Sequence, residues 1–283
     1  MPELPEVEYL VRQLREHLVG AQIAQVCVPW AGVVEHPTPD EFVREVQGQE
    51  IVSVDRRAKL ILLRLSGNGI VVAHRRMTGN LELCDAGTPD RPHQRLAFTL
   101  ADGRRLLYTD PRKFGRLGFY RAAELPARLA NLGPEPLEPD FTAARLREIV
   151  RGSRRPIKAV LLDQEAIAGI GNIYADEALF NSRIHPLRPA DLLAPREIAR
   201  LREGIVTVLT TGIEHGGTTF GRHRDLFGDA GTNLDYILVY RRAGKPCMRC
   251  GTTIRRIVVA QRGTHYCPHC QPEPRYKSGD RHP

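Results

Sequence analysis

The residues best suited to chemistry lie at the start of the chain, where residues 1–8 read MPELPEVE. Met1 precedes a small residue, so we expect its removal and a free secondary amine on Pro2. An α-amino group titrates near pH ~8, so a useful fraction is neutral at pH 7. Attack by a secondary amine on an aldehydic carbon gives an imine that has no N–H and stays cationic. This stretch therefore predicts covalent catalysis followed by elimination at the adjacent carbon.

Two carboxylates accompany that amine. Glu3 and Glu6 lie within a few residues of Pro2 and are suited to moving protons beside a nucleophile. We assign proton transfer to Glu3 and expect Glu6 to order the start of the following helix. The alternative is an ordinary helix start, because proline and glutamate both favour first turns.

The element that must position these groups is a helix. Pro5 suits a first helical turn, and the pattern ends at Gly20. Apolar residues recur between them at helical spacing, namely Val7, Leu10, Val11, Leu14 and Leu18. The amine would lie just ahead of the positive end of the helix dipole, which disfavours its charged form.

Short strands are predicted after this helix, in the segments QIAQVCV, EIVSVDRR, KLILLRL, GIVVAHR, RLAFTL, RRLLYTD and RLGFYR. Their number and spacing predict a sandwich or a barrel. A helix capped near Thr38 or Asp40 should interrupt them. Cys27 and Cys84 lie in strand-like apolar stretches, so we expect both to be core residues.

The second half of the chain changes to a helical pattern. Helices are predicted over 142–151, 155–166, 172–182 and 195–213, and strands return around the last cysteines. The predicted organisation is a catalytic domain at 1–121, a proline-containing linker at 122–140, a helical DNA-binding domain at 141–233, a zinc finger at 234–271 and a disordered tail at 272–283.

Four cysteines form two CxxC pairs, Cys247 with Cys250 and Cys267 with Cys270, which are sixteen residues apart. This spacing predicts one structural Zn²⁺ held by four sulfurs on a β-hairpin. Closed coordination means that the metal folds the module rather than performing chemistry. A redox pair or disulfides are the alternative, which the intracellular character of the sequence disfavours.

The distribution of charge indicates a polyanionic partner. The net charge is +8, and from Arg241 to the end ten Lys and Arg face two acids, which is the same surplus of eight. Positive charge concentrated in one small module is typical of phosphate binding; a solvated basic tail is the alternative. No apolar run is long enough to span a bilayer, so we expect a cytoplasmic, nucleoid-associated protein without a membrane partner.

Further motifs extend the N-terminal pattern: HRRMTG at 74–79, DPRKFG at 110–115, AGIGNIYADE at 168–177 and RGTHYCPHCQ at 262–271. With PELPEVE they resemble the formamidopyrimidine-DNA glycosylases, bifunctional enzymes of base-excision repair. The resemblance implies an α+β fold, with an N-terminal β-sandwich and flanking helices followed by a helix–two-turn–helix domain and a zinc-binding β-hairpin.

The resemblance also implies the reaction. Pro2 would attack the sugar C1′ of a damaged nucleotide, displace an oxidised purine such as 8-oxoguanine or a formamidopyrimidine, and cut the strand by β,δ-elimination. Lys59 would reach into the catalytic pocket, although Ala58 replaces the glycine usual before it. Arg262 would hold the lesion's phosphate and assist the second elimination, and we expect Arg262 and Gly263 to form the hairpin turn. A solvated strand end and a solvated hairpin arginine are the respective alternatives.

Three residues are assigned by the resemblance to the gap left by an extruded nucleotide. Met77 would fill the void, Phe114 would enter between base pairs, and Arg112 would face the orphaned base. His93 matches a further DNA contact. The alternative is that Met77 and Phe114 are core side chains, but both lie beside glycines in polar, arginine-rich loops.

The helical domain supplies the predicted phosphate contacts. Gly169 and Gly171 should expose backbone N–H groups, and Asn172 should cap the following helix and donate to a phosphate. Three residues upstream are further phosphate candidates, namely Ser153, Arg154 and Lys158; a lysine is more common at the family's position of Ser153.

Residues 215–224, HGGTTFGRHR, depart from the family pattern. Gly221 stands where an arginine is usual, so Arg222 or Arg224 would take that role in a loop that covers the extruded purine. An endonuclease VIII-like enzyme for oxidised pyrimidines therefore stays as a rival, which Leu4 disfavours. A non-catalytic zinc-dependent DNA-binding protein is the second rival. The expected partner is double-stranded DNA with an oxidised base or abasic site, bound by a monomer in a cleft between the domains.

Overall fold

The chain was analysed as a computed structural model that describes residues 1–221 and 224–273. Two compact units divide it: unit 1 comprises Met1–Asn131 with Gly212–Leu234, and unit 2 comprises Leu132–Thr211 with Asp235–Pro283. Arg222 and most of the predicted tail lie outside the described residues. Among the described helices, none combines the length and apolar character needed to cross a lipid bilayer.

Unit 1 begins with helix α1 (Leu4–Leu18), which follows the predicted periodicity. The five apolar residues that predicted it are all buried, and they pack in one core with both sheets of the unit. Glu3 is the N-cap, and a capping box joins it to Glu6. The helix therefore fixes the backbone directly behind Pro2.

Nine strands of unit 1 form two sheets around this core, which confirms the predicted β-sandwich. The strands are β1 (Ile23–Cys27), β2 (Val34–His36), β3 (Ile51–Arg57), β4 (Leu60–Leu65), β5 (Gly69–His74), β6 (Asn80–Cys84), β7 (Gln94–Leu100), β8 (Arg105–Thr109) and β9 (Arg116–Arg121). Their orders are β1-β7-β8-β6 and β2-β9-β5-β4-β3, and only β2 runs parallel to its neighbour β9. The seven predicted strands are confirmed.

Three elements of unit 1 were missed. Strand β2 has only three residues, and β6 is strand-like around Cys84 but alternates over only two leucines, so neither was identified as a separate strand. Helix α3 (Leu125–Leu129) lies in the stretch predicted as linker. Helix α2 (Pro39–Val46) was predicted correctly, because Thr38 caps it and forms a capping box with Glu41.

The two isolated cysteines have different environments. Cys84 is buried, as predicted, but Cys27 is exposed, so its assignment to the core was wrong. The register explains the difference. The burial pattern of β1 places Ile23 and Val26 inward, and Cys27 is the next residue along the strand.

Unit 2 contains the predicted helices as α4 (Ala143–Val150), α5 (Ile157–Leu162), α6 (Asn172–Asn181) and α7 (Pro195–Glu214). A hairpin of β10 (Arg255–Val259) and β11 (Arg262–Tyr266) follows. Thr142 caps α4 as its N-cap residue. The expected helix–two-turn–helix region and zinc-binding hairpin are therefore both present.

The packing of α1 gives a stability prediction. Leu14 is 0% exposed in the core, so Leu14→Ala should lower the free energy of unfolding of unit 1 by about 2–5 kcal/mol through lost contacts and a cavity. Urea denaturation followed by circular dichroism measures this change. Val19→Ala, at the exposed end of the same helix, is the matched control and should stay within about 0.5 kcal/mol of the wild type. Equal losses in both variants would contradict the assigned core.

Candidate functional site

The N-terminal amine is partly buried. Met1 is 47% exposed but Pro2 behind it is buried. Burial lowers the pKa of the Met1 α-amine, the Lys59 ammonium acts in the same direction, and the carboxylates of Glu3 and Glu6 oppose both. The predicted neutral amine of Pro2 requires removal of Met1 and stays a prediction; the lowered pKa of the amine directly ahead of it is caused first by burial.

Lys59 is brought to this site by the turn between β3 and β4. Its side chain is only 6% exposed, so the alternative of a solvated strand end is wrong. Ala58 adopts a left-handed φ of 53°, which glycine accepts at lower cost. The local backbone thus explains the glycine usual in the family, and alanine occupies the same conformation here.

The Glu6 carboxylate makes hydrogen bonds to two separate segments of the chain. One carboxylate oxygen accepts the N–H of Glu3 at 2.7 Å, and the other accepts the N–H of Thr218 at 2.7 Å. The predicted role in ordering the helix start is confirmed. The bond to Thr218 was missed, because nothing in the local sequence pairs residues that are 212 positions apart.

The three side chains assigned to the DNA gap lie together and face solvent. Met77 and Phe114 are each 45% exposed, so the alternative that they are core residues is wrong. The Arg112 guanidinium carbon lies 4.5 Å from the centre of the Phe114 ring, and its Nη1 lies 3.3 Å from the Met77 sulfur. His93 is exposed, and its carbonyl accepts the N–H of Asp110 at 3.0 Å.

Asp110 makes hydrogen bonds to the loop that carries Met77 and to the loop that carries Phe114. It was assigned no role from the sequence. It is 0% exposed. One oxygen accepts the Thr78 hydroxyl and the Arg112 N–H, and the other accepts the N–H groups of Phe114 at 2.9 Å and Gly115 at 2.8 Å. An aspartate at the start of a polar, glycine-ended turn was the available signal. We call the segment 110–116 the wedge loop.

Two glycines of these loops are required by close packing. The Tyr108 hydroxyl lies between them, and an added Cβ would come within 2.1 Å of its oxygen at Gly79 and 1.6 Å at Gly115. Any larger residue at either position would displace the loop that carries Met77 or the wedge loop.

In unit 2, the glycine turn before α6 differs from the expected phosphate cradle. The Gly169 N–H donates to the Gln164 side-chain oxygen at 3.1 Å, and the Gln164 amide donates to the Ile170 carbonyl at 2.9 Å. Gly169 is therefore corrected from a phosphate ligand to part of an internal turn. Asn172 does not cap the helix either, because Gly171 is the N-cap.

The Asn172 side chain instead reaches the hairpin. Its amide donates to the Gly263 carbonyl at 2.9 Å, and one amide hydrogen stays available for a phosphate. Its side-chain oxygen is buried without a hydrogen-bond partner among the described residues. Ser153 is half-buried and Arg154 is exposed.

Lys158 was predicted to contact phosphate, and this prediction is wrong. The side chain is 0% exposed, and Nζ donates to Asp176 at 2.5 Å and to the Thr264 hydroxyl at 2.8 Å. The other Asp176 oxygen accepts the N–H of His265 at 2.8 Å and lies 3.1 Å from its Nδ1. Lys158 therefore joins α5, α6 and the hairpin, a role that the local sequence does not reveal because Asp176 and Thr264 lie in other elements.

Glu177 holds the segment that leads to the hairpin. Its carboxylate accepts the backbone N–H groups of Leu238, Val239 and Tyr240 at 2.8–2.9 Å. Burial raises the pKa of Glu177 to about 7, while the three N–H donors favour its ionised form. The sequence motif contained Glu177 but did not indicate its partners.

The four cysteine sulfurs predicted to bind zinc are gathered within 4.8 Å of one another. Cys247 and Cys270 lie 4.0 Å apart, and Cys250 lies 3.5 Å from both Cys267 and Cys270. A disulfide requires about 2.05 Å, whereas four sulfurs at ~2.3 Å from one zinc ion are separated by roughly 3.8 Å. The geometry fits one tetrahedral zinc ion and excludes disulfides at these four cysteines.

Arg262 lies at the tip of the hairpin but not in the turn. The left-handed turn residues are Ala260 and Gln261, with φ of 48° and 59°, and Arg262 pairs with Val259 as the first residue of β11. The prediction of an Arg262–Gly263 turn was wrong, because it assumed that glycine would take the left-handed position. Arg262 is exposed, as a phosphate ligand must be.

Family comparisons match all three regions. Residues 1–117 match the formamidopyrimidine-DNA glycosylase N-terminal domain, 132–223 match the H2TH domain of the same enzymes, and 244–272 match the zinc finger found in FPG and IleRS. This chain belongs to the formamidopyrimidine-DNA glycosylase family. The four-cysteine cluster is thus the family's zinc finger and holds one structural Zn²⁺.

Individual relatives agree with this membership. A formamidopyrimidine-DNA glycosylase from Roseiflexus sp. is 48% identical over 96% of this chain and 100% of its own length. One from Symbiobacterium thermophilum is 48% identical over 97% of this chain and 90% of its own length. A Lactococcus lactis Fpg in complex with abasic-site DNA is 34% identical, with a TM-score of 0.90 over 96% of this chain and 100% of that chain.

The zinc finger gives a prediction about metal binding. Cys250→Ser should remove the bound zinc, measured as metal per chain by atomic emission, and should abolish duplex binding because the hairpin no longer folds. The unfolding of unit 1 should stay unchanged, since its core contains none of the four cysteines. Cys27→Ser, at the exposed cysteine outside the cluster, should retain one zinc ion. Full zinc content in Cys250→Ser would contradict the assigned ligand set.

The buried ion pair between Lys158 and Asp176 gives a prediction about stability. Asp176→Asn leaves the Lys158 ammonium buried without a carboxylate and should destabilise unit 2 by about 3–5 kcal/mol in chemical denaturation. The double variant Lys158→Met with Asp176→Asn should recover part of this loss, because it removes the unpaired ammonium while the side-chain oxygen of the asparagine can still accept the N–H of His265. An unchanged denaturation curve for Asp176→Asn would show that the pair does not hold the hairpin.

Proposed function

We propose that this family member excises oxidised purines from duplex DNA and cuts the strand at the resulting abasic site, with the nitrogen of Pro2 as nucleophile. The observation that carries the proposal is the N-terminal end of the chain, where Pro2 is buried and the side chains of Glu3 and Lys59 lie close enough to act on the α-amine of Met1, directly ahead of Pro2. A neutral secondary amine, a carboxylate and an ammonium are the groups that this reaction requires.

Solved relatives support the substrate class. A Lactococcus lactis Fpg was solved with abasic-site DNA, an FPG mutant from the same organism with Fapy-dG DNA, and a MutM with carbocyclic 8-oxo-G DNA. A further Lactococcus lactis Fpg complex holds an oxidised pyrimidine, so the rival substrate class is bound within the same family. Oxidised purines remain the substrates that we propose for this chain.

The base-release step uses the residues of the N-terminus. Removal of Met1 frees the Pro2 nitrogen, which bonds to C1′ as the bond between C1′ and the base breaks. Glu3 protonates the sugar oxygen, and the ring opens to leave a cationic imine on Pro2. Lys59 lies beside this site and stabilises the negative charge that develops on the oxygen.

Strand cleavage follows from the cationic imine. Loss of a proton from C2′ expels the 3′ phosphate, and loss of a second proton from C4′ expels the 5′ phosphate. Arg262 holds a phosphate during the second elimination, because a guanidinium binds two phosphate oxygens at once. Water then releases the sugar fragment and restores Pro2.

The DNA contacts complete the proposal. Met77, Phe114 and Arg112 occupy the gap left by the extruded nucleotide, and His93 contacts the backbone beside it. Asn172, Ser153 and Arg154 are proposed phosphate contacts of unit 2. We further propose a cytoplasmic, nucleoid-associated monomer, since one duplex and one active amine suffice for the reaction.

Borohydride trapping tests the nucleophile. Incubation with an abasic duplex and borohydride should give a covalent conjugate, and mass analysis of its peptides should place the DNA on residue 2. Pro2→Gly should weaken trapping, because its primary amine can lose the cationic character of the imine.

The matched control blocks the N-terminal amine and keeps every side chain of the native sequence. An uncleavable extension ahead of Met1 should abolish trapping while zinc content and folding stay unchanged. If the extended protein is trapped at the wild-type rate, or if the DNA is found on Lys59, Pro2 is not the nucleophile.

A further inference from the structure

Trp30 is the only tryptophan of the chain, and it lies in unit 1 ahead of β2. Its ring is half-buried against the core and is surrounded by three cations. The distances from the ring centre are 5.3 Å to Lys113 Nζ, 5.7 Å to Arg95 Cζ and 5.9 Å to Arg116 Cζ. All three lie within the range of a cation–π interaction.

These cations are tied to the wedge loop. Arg95 Nε donates to the Asp110 carbonyl at 2.9 Å. Arg116 Nη1 donates to the carbonyls of Lys113 at 3.0 Å and Gly115 at 2.7 Å. Lys113 is exposed and has a left-handed φ of 59°. The ring and its three cations therefore lie directly beside the loop that presents Phe114.

The same cations lack acidic partners. Ten other arginines of unit 1 lie within 4.0 Å of a carboxylate, namely Arg12, Arg15, Arg44, Arg56, Arg64, Arg91, Arg104, Arg105, Arg121 and Arg128. Among the described residues, no carboxylate is that close to Arg95, Lys113 or Arg116. Three uncompensated charges around one ring repel each other until an anion enters.

We propose that Trp30, Arg95, Lys113 and Arg116 form a binding platform for the phosphate backbone of the duplex next to the wedge loop. We name this surface the Trp30 platform. It deepens the proposed function, because its ligand is the DNA on which that function acts. Trp30 holds the cations at fixed positions, and the cations supply contacts that do not depend on sequence.

The alternative is that Trp30 and its cations only stiffen the wedge loop. The two roles differ in their dependence on salt. Each phosphate that a cation neutralises adds about 0.9 to the magnitude of the slope of log K against log salt concentration. A brace within the protein releases no counterions from DNA and adds nothing to that slope.

The test measures duplex affinity over a series of sodium chloride concentrations by fluorescence anisotropy. The probe is a duplex with a tetrahydrofuran abasic analogue, which cannot form the imine. Lys113→Gln is the chosen variant, because the side chain is exposed and substitutions of exposed residues usually change stability little. We expect the slope to fall in magnitude by about 0.9 and the affinity to decrease most at low salt.

Arg64→Gln is the matched control. Arg64 is a cation of unit 1 whose side chain is 43% exposed, but its charge is compensated by Asp55 at 3.0 Å. The change in net charge is the same as in Lys113→Gln, and the slope should equal that of the wild type. An equal fall in both variants would indicate a general charge effect and would overturn the platform.

Trp30 itself provides a second measurement. Excited where tyrosine does not absorb, the emission of the protein comes from this position alone. Saturation with the duplex should change its intensity, and Lys113→Gln should reduce that change. An unchanged slope in Lys113→Gln would overturn the platform while leaving Pro2 as nucleophile, because this duplex does not report on the covalent step. Failure of borohydride trapping would overturn the nucleophile without altering the slope.

Discussion

The interaction on which the N-terminal site depends is the pair of hydrogen bonds made by Glu6. A single buried carboxylate accepts an N–H from Glu3 and another from Thr218. Each bond is charge-assisted, and loss of the carboxylate would leave two N–H groups without their partner. Glu6 thus fixes the direction in which the chain enters α1 and holds the backbone at Thr218 beside it. Its charge also opposes the effect of burial on the amine.

The same arrangement recurs beneath other exposed side chains of the proposed site. Asp110 supports the exposed residues of the wedge loop. In unit 2, Asp176 holds β11 behind Arg262, and Glu177 holds the segment before the zinc finger. In each case a buried carboxylate binds backbone N–H groups, so the exposed side chains carry positive charge while their supports carry negative charge. The backbone beneath each long, positively charged side chain is therefore fixed, although the side chain itself faces the solvent.

The sequence predicted the features that depend on local pattern. Apolar spacing located α1, alternation located seven strands, and cysteine spacing located the zinc ligands. It failed where a residue's role depends on a distant partner. Lys158 looked like a surface cation because its buried partner Asp176 lies in another helix. The hairpin turn was misplaced because Ala260 and Gln261 adopt a conformation usually given to glycine. The Glu6–Thr218 bond has no local signal at all.

That long separation also sets an order of events during synthesis. The partner of Glu6 is made 212 residues later, so the N-terminus spends roughly 10–40 s on the ribosome without it, at translation rates of ~5–20 residues per second. Pro2 becomes buried once the unit has folded. Removal of Met1, which the proposed reaction requires, would therefore meet the least obstruction within this interval, before Glu6 has acquired its second partner.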